Sequence, residues 1–156
     1  MKIAIGAVLA LSVSLPVSAA GPVIIEGVWL TEKKSEMTIA PCPAGWCGYI
    51  TKIVVPPEIK EKYGDDLAAI GDNYTDAMNP DPALRDRPIL GLQILTLTAT
   101  GRGKVFDGKI YNPENGKTYE GKLEVVNDNR VTLKGCVMFG MICQGEDWTR
   151  ISGPPG

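Results

Sequence analysis

The chain has 156 residues, a formal net charge of −2, four cysteines and not one histidine. Without imidazole, the usual general base at neutral pH and the commonest metal ligand are both missing, which excludes His-dependent catalysis. The charges are spread without a basic face or arm, which argues against nucleic acid as a partner.

Met1-Lys2 precede an almost uncharged apolar run from Ile3 to Leu15, and Pro16-Val17-Ser18-Ala19-Ala20 carries the small residues at which a signal peptidase cuts. Residues 1–20 are expected to be a cleaved secretory signal peptide. The run is too short to span a bilayer, and nothing later approaches the roughly 18–20 apolar residues of a membrane helix. The expectation is a soluble periplasmic or secreted protein of one domain, 21–156, large enough for a single sizeable core.

Run length and turn punctuation predict eight strands, near 23–31, 35–41, 46–55, 89–99, 104–112, 117–126, 130–138 and 142–151. Alternation is clearest where Tyr119, Gly121, Leu123 and Val125 share one face and Thr118, Glu120, Lys122 and Glu124 the other. The next segment repeats it with Val131, Leu133, Gly135 and Val137. Asn127-Asp128-Asn129 and Asn112-Pro113-Glu114-Asn115-Gly116 are hairpin turns, the second combining a fixed proline φ with an Asn-Gly that tolerates positive φ. Consecutive hairpin-linked strands protect their edges best by closing, so a mostly β, antiparallel, up-and-down eight-stranded barrel is expected. Gly91, Gly108, Gly121 and Gly135 are placed inside strands, as bends or bulges.

Residues 56–88 interrupt the pattern between the third and fourth strands, with a helix-capable stretch around Glu58 to Ile70 and a polar run from Asp72 to Arg87. So long a connection is expected to be a helical or irregular insertion, either a plug over one barrel end or a lid over a cavity.

An even number of cysteines in an exported chain favours disulfides over zinc, and neither spacing is that of a zinc knuckle. Three connectivities are open. Cys42–Cys47 with Cys136–Cys143 is preferred, because each pair faces itself across a tight hairpin. A Phe139-Gly140 turn sets Cys136 opposite Cys143 with Cα atoms roughly 5.5 Å apart.

Asp76, Asn79, Asp81, Arg85, Asp86 and Arg87 crowd polar groups among Pro80, Pro82 and Pro88. Arg85 and Arg87 suit a carboxylate or phosphate head group, with Asp76 and Asn79 beside them. The same side chains also suit pairing with one another and capping turns. The acids lack the order of a calcium loop, Gly101-Arg102-Gly103-Lys104 lacks phosphate-loop spacing, and neither Ser35 nor Ser152 lies in a nucleophile elbow. No catalytic residue, metal or cofactor is assigned. Leu92, Ile94, Phe106, Ile110, Leu123 and Leu133 line the interior, as core or as the wall of a cavity for one small ligand.

Gly27-Val28-Trp29 at the first strand and Trp148-Thr149-Arg150 at the last resemble the terminal motifs of lipocalins and their calycin relatives. That resemblance implies Trp29 closing the barrel with Arg150 stacked across its ring, a contact of about 0.5–2 kcal/mol. A longer ordered set covers nearly all of residues 21–156. It runs through Asp76-Ala77-Met78-Asn79-Pro80-Asp81, Leu84 to Gly91, Gly108 to Pro113 with Asn115 to Tyr119, and the two terminal motifs. This set resembles the bacterial domain-of-unknown-function family 2147, which implies a secreted lipocalin-like barrel and no established reaction. Cys42, Cys47, Cys136 and Cys143 depart from the family pattern. The function expected is an exported envelope protein, not an enzyme, that holds a small hydrophobic or amphipathic ligand in its barrel. The alternatives are a filled barrel that contacts an envelope protein, and a histidine-free enzyme.

Overall fold

The computed structural model describes residues 25–55, 57–58, 60–62, 64, 73–137 and 142–153. The proposed signal peptide, the start of the first predicted strand and most of the Glu58–Ile70 stretch lie outside the described residues. Eight strands are present: β1 (Gly27–Leu30), β2 (Glu36–Cys42), β3 (Gly45–Lys52), β4 (Gln93–Ala99), β5 (Val105–Asn112), β6 (Lys117–Asn127), β7 (Arg130–Val137) and β8 (Ile142–Ser152). Each pairs antiparallel with its chain neighbour, and β8 pairs with β1, closing the barrel expected from the alternation. Among the described residues the insertion between β3 and β4 contributes helical positions between 57 and 64 and a 3₁₀ turn, Pro82–Leu84.

An up-and-down barrel sends alternate connections to opposite ends. The β2–β3, β4–β5 and β6–β7 turns share one end with the start of β1 and the end of β8. The β1–β2 loop, the described residues of the insertion, the β5–β6 turn, the end of β7 and the start of β8 share the other.

The first end is solid. Trp29 pairs with Arg150 across the β1–β8 seam, and the guanidinium carbon sits 4.2 Å from the indole centroid. The Trp29 indole nitrogen donates to the Ile25 carbonyl at 2.9 Å, and Arg150 donates to the carbonyls of Glu26 and Asp128. Trp46 meets Phe106 edge to face at 5.2 Å, and Leu97, Val125 and Val131 are buried around them. A side chain at Gly27, where φ is +125°, would collide with the Ser152 carbonyl oxygen at 2.4 Å, so glycine is required where the two ends of the sheet meet.

Two expectations need correction. Gly91 lies ahead of β4 in a turn with φ of 83°, its amide bonded to the Ile50 carbonyl at 2.7 Å, so the fourth strand starts at Gln93 and not at residue 89. Leu92 therefore belongs to that turn and does not line the interior cavity. Within β4, Tyr49 pairs with Gln93 and Gly48 with Leu95, leaving Ile94 as the extra residue of a bulge. The bulge resets the alternation, and Leu95 and Leu97 become the fully buried residues of this strand.

The cysteines join as Cys42–Cys47 and Cys136–Cys143. Cys136 and Cys143 face each other directly at a Cα separation of 4.0 Å, nearer the narrow spacing of antiparallel pairs than the wide one assumed from sequence.

Reduction is expected to destabilise the fold by about 2 kcal/mol per bridge; an unchanged thermal midpoint under reductant contradicts this. Arg150→Ala, which removes the ring contact and both carbonyl caps, is expected to lower the unfolding free energy by about 2 kcal/mol in a urea titration.

Candidate functional site

The second end differs, because its inner wall is not filled. A cavity of about 1000 Å³ opens among the connections at this end. Its apolar wall includes Met37, Ile50, Ile53, Ile94, Ile110 and Leu133, with Trp148 at its base. Of the six interior residues expected from sequence, Ile94, Ile110 and Leu133 line this cavity. Phe106 and Leu123 belong to the packed core instead, because their positions on β5 and β6 lie toward the closed end.

Glycine keeps part of the wall thin. A Cβ at Gly121 would meet Ile110 Cδ1 at 2.5 Å, so Ile110 fills that space. At Gly135 the nearest atoms are Ile110 Cδ1 at 3.7 Å and Tyr119 Cβ at 3.9 Å, ordinary contact distances that leave room for a side chain.

The polar run gathers beside the mouth around one carboxylate. Asp76 is 0 % exposed. Tyr111, from β5, donates its hydroxyl to Asp76 Oδ1 at 2.6 Å. Asn79 Nδ2 and Arg87 Nε donate to Oδ2 at 2.8 and 2.9 Å, and a second Arg87 nitrogen lies 2.7 Å from the same oxygen. The Arg87 guanidinium stands 5.5 Å from the centroid of the Tyr111 ring. Arg85 Nε donates to the Asn79 carbonyl at 2.8 Å, and the Asn79 side chain accepts from the Asp81 amide at 2.9 Å. A Cβ at Gly116 would lie 1.9 Å from the Met78 carbonyl oxygen, which shows how closely the insertion backbone lies on the β5–β6 turn.

Asp76, Asn79, Arg85 and Arg87 thus come together, as the sequence crowding implied, but with their polar atoms directed at one another. Neither arginine lines the cavity. The physical reason is the burial of Asp76: a carboxylate removed from water is tolerated only when charge and hydrogen bonds replace its hydration. Burial raises the Asp76 pKa, but the hydrogen bonds from Tyr111, Asn79 and Arg87 outweigh it and hold the group below its ordinary value. Tyr111 is pushed up by burial and by the bond to the Asp76 carboxylate.

Glu146 and Gln144 are wall residues that the sequence reading missed. They alternate with Trp148 along β8, and Glu146 pairs across the ladder with the buried Leu133. Counting back by two from Trp148 was the available signal, hidden by the polar identity of both residues.

A model of the family described as "Uncharacterized protein conserved in bacteria (DUF2147)" matches residues 27–150. Among solved structures, a Helicobacter pylori protein described as belonging to the lipocalin family superposes with a TM-score of 0.66 at 21% identity, covering 82% of this chain and 83% of that one. No match is found among curated proteins.

An Asp76 pKa depressed by folding stabilises the protein above the ordinary carboxyl value near 3.9, and that stabilisation is lost as pH falls through the lower folded-state value. Asp76→Asn is expected to lose about 2–3 kcal/mol at pH 7 and to flatten this acid limb of the stability curve. Urea titrations of both proteins from pH 7 to pH 2 check it; parallel curves contradict it.

Proposed function

Given that this chain belongs to the DUF2147 family and folds as a lipocalin-like barrel, we propose that it is an exported binding protein holding one small apolar or amphipathic molecule inside the barrel. The observation that carries the reading is the contrast between the two ends, one solid with aromatic and aliphatic side chains, the other hollow over about 1000 Å³ and largely apolar. That volume is at the upper end of the roughly 300–1000 Å³ of small-molecule sites, and the wall combines aliphatic residues with a few polar groups. An eight-stranded barrel is wide enough for one such ligand.

Export is supported by the leader-like first twenty residues and by two disulfides, which persist in oxidising compartments. Among the described residues no helix is long and apolar enough to cross a membrane.

Gly135→Leu tests the reading, because the new side chain projects into the cavity from a backbone position with room at Cβ. Titration with the neutral dye N-phenyl-1-naphthylamine is expected to show saturable binding at one site in the native chain. The variant is expected to bind at least about tenfold more weakly, equivalent to 1.4 kcal/mol, with its thermal midpoint retained. Absence of saturable binding, or equal affinity in both proteins, contradicts the proposal.

A further inference from the structure

The cavity is apolar along its wall but not neutral. Among the described residues its charged lining groups are Glu32, Glu114 and Glu146 against one cation, Lys33. Lys33 is already paired at the rim, its ammonium 2.9 Å from Glu114 Oε1, and both side chains are largely exposed. Glu32 accepts the Asp147 backbone amide at 3.0 Å. Glu146 is placed differently, on the inner face of β8 between Gln144 and Trp148. One of its oxygens accepts the Trp148 indole N–H, and its other oxygen has no hydrogen-bond partner among the described residues.

Resting on the binding function proposed above, we infer that the cavity selects an amphipathic molecule with a cationic amine or ammonium head, for which Glu146 is the counter-charge. Three features converge on that class. The carboxylate keeps one oxygen without a hydrogen-bond partner among the described residues, half-buried on a wall it shares with Ile110, Leu133 and Trp148, where a charge partner gains over one in open water. The excess of glutamates favours cations at the mouth and repels a carboxylate or phosphate. Trp148 and Tyr119 line the same space, and aromatic faces attract ammonium groups. An anionic head held by Arg85 or Arg87 has no comparable support, since both guanidinium groups are bonded within the insertion.

Three ligands with one tail and different heads separate this inference from the reading beneath it. Calorimetric titration of the full mature chain with decylammonium, decanol and decanoate, each below its aggregation limit, is expected to rank ammonium at least tenfold tighter than alcohol, with decanoate weakest. Glu146→Gln, which keeps an acceptor for Trp148, is expected to bring ammonium to within threefold of decanol; Glu146→Asp is expected to retain the preference. Equal affinities for the three heads, or a preference for decanoate, would overturn the inference while leaving a binding cavity in place. An ammonium preference that survives in Glu146→Gln overturns the role of Glu146. If none of the three binds, the cavity reading falls with it. The native series decides the head-group question even if a variant fails to fold.

Discussion

Closure of the sheet at the seam between β1 and β8 is the constraint from which the rest follows. Trp29 and Arg150 stand opposite each other there, stacked at 4.2 Å, with the arginine also capping carbonyls at Glu26 and Asp128. An open eight-stranded sheet would leave β1 and β8 with unpaired amides and carbonyls and would have no inside. Once the seam is made, every second side chain faces a shared interior, and the question becomes how far that interior fills. Bulk is concentrated at the end of the seam, in Trp29, Trp46 and Phe106, so the unfilled volume is displaced to the opposite end.

That opposite end is where the long β3–β4 connection lies. A segment with little sheet pairing must satisfy its backbone and side chains locally, and this one does so around a buried carboxylate. Asp76 collects Tyr111 from β5 together with Asn79 and Arg87 from the insertion, which ties the insertion to the barrel wall near the mouth. The Thr75–Pro88 bridge and the amide of Ile89 bonded to the Tyr74 carbonyl hold the two limbs of the segment together. Tyr74 and Ile89 line the cavity, so the hub also shapes the opening.

The barrel was legible because its signals are local and redundant. β6 alternates from Tyr119 to Val125 against β7, Asn127 pairs with Arg130 across the expected turn after a register shift beyond Val125, and Gly116 takes the positive φ that Asn-Gly announces. The interior was less legible where the backbone breaks its own rhythm. The bulge at Ile94 makes strict alternation assign the wrong partner to Leu95, and the turn at Gly91 removes Leu92 from the strand. The site was legible in composition and not in geometry: Arg85 and Arg87 look like anion ligands until Asp76 is seen to be buried against Arg87, Asn79 and Tyr111, with Arg85 bonded to the Asn79 carbonyl. Glu146 was concealed for the opposite reason, because a glutamate on a strand is ordinarily assigned to solvent and only the register with Leu133 turns it inward.

The central claim is that the hollow end of the barrel holds a molecule. Intermolecular NOEs between decanol and the methyl-labelled protein test it most directly. The account requires contacts from the alkyl chain to Ile94, Ile110 and Leu133 on the inner wall, and none to Leu97 or Val131 at the filled end. NOEs confined to outward-facing residues such as Val126 or Ile151, or none at saturating ligand, would contradict it.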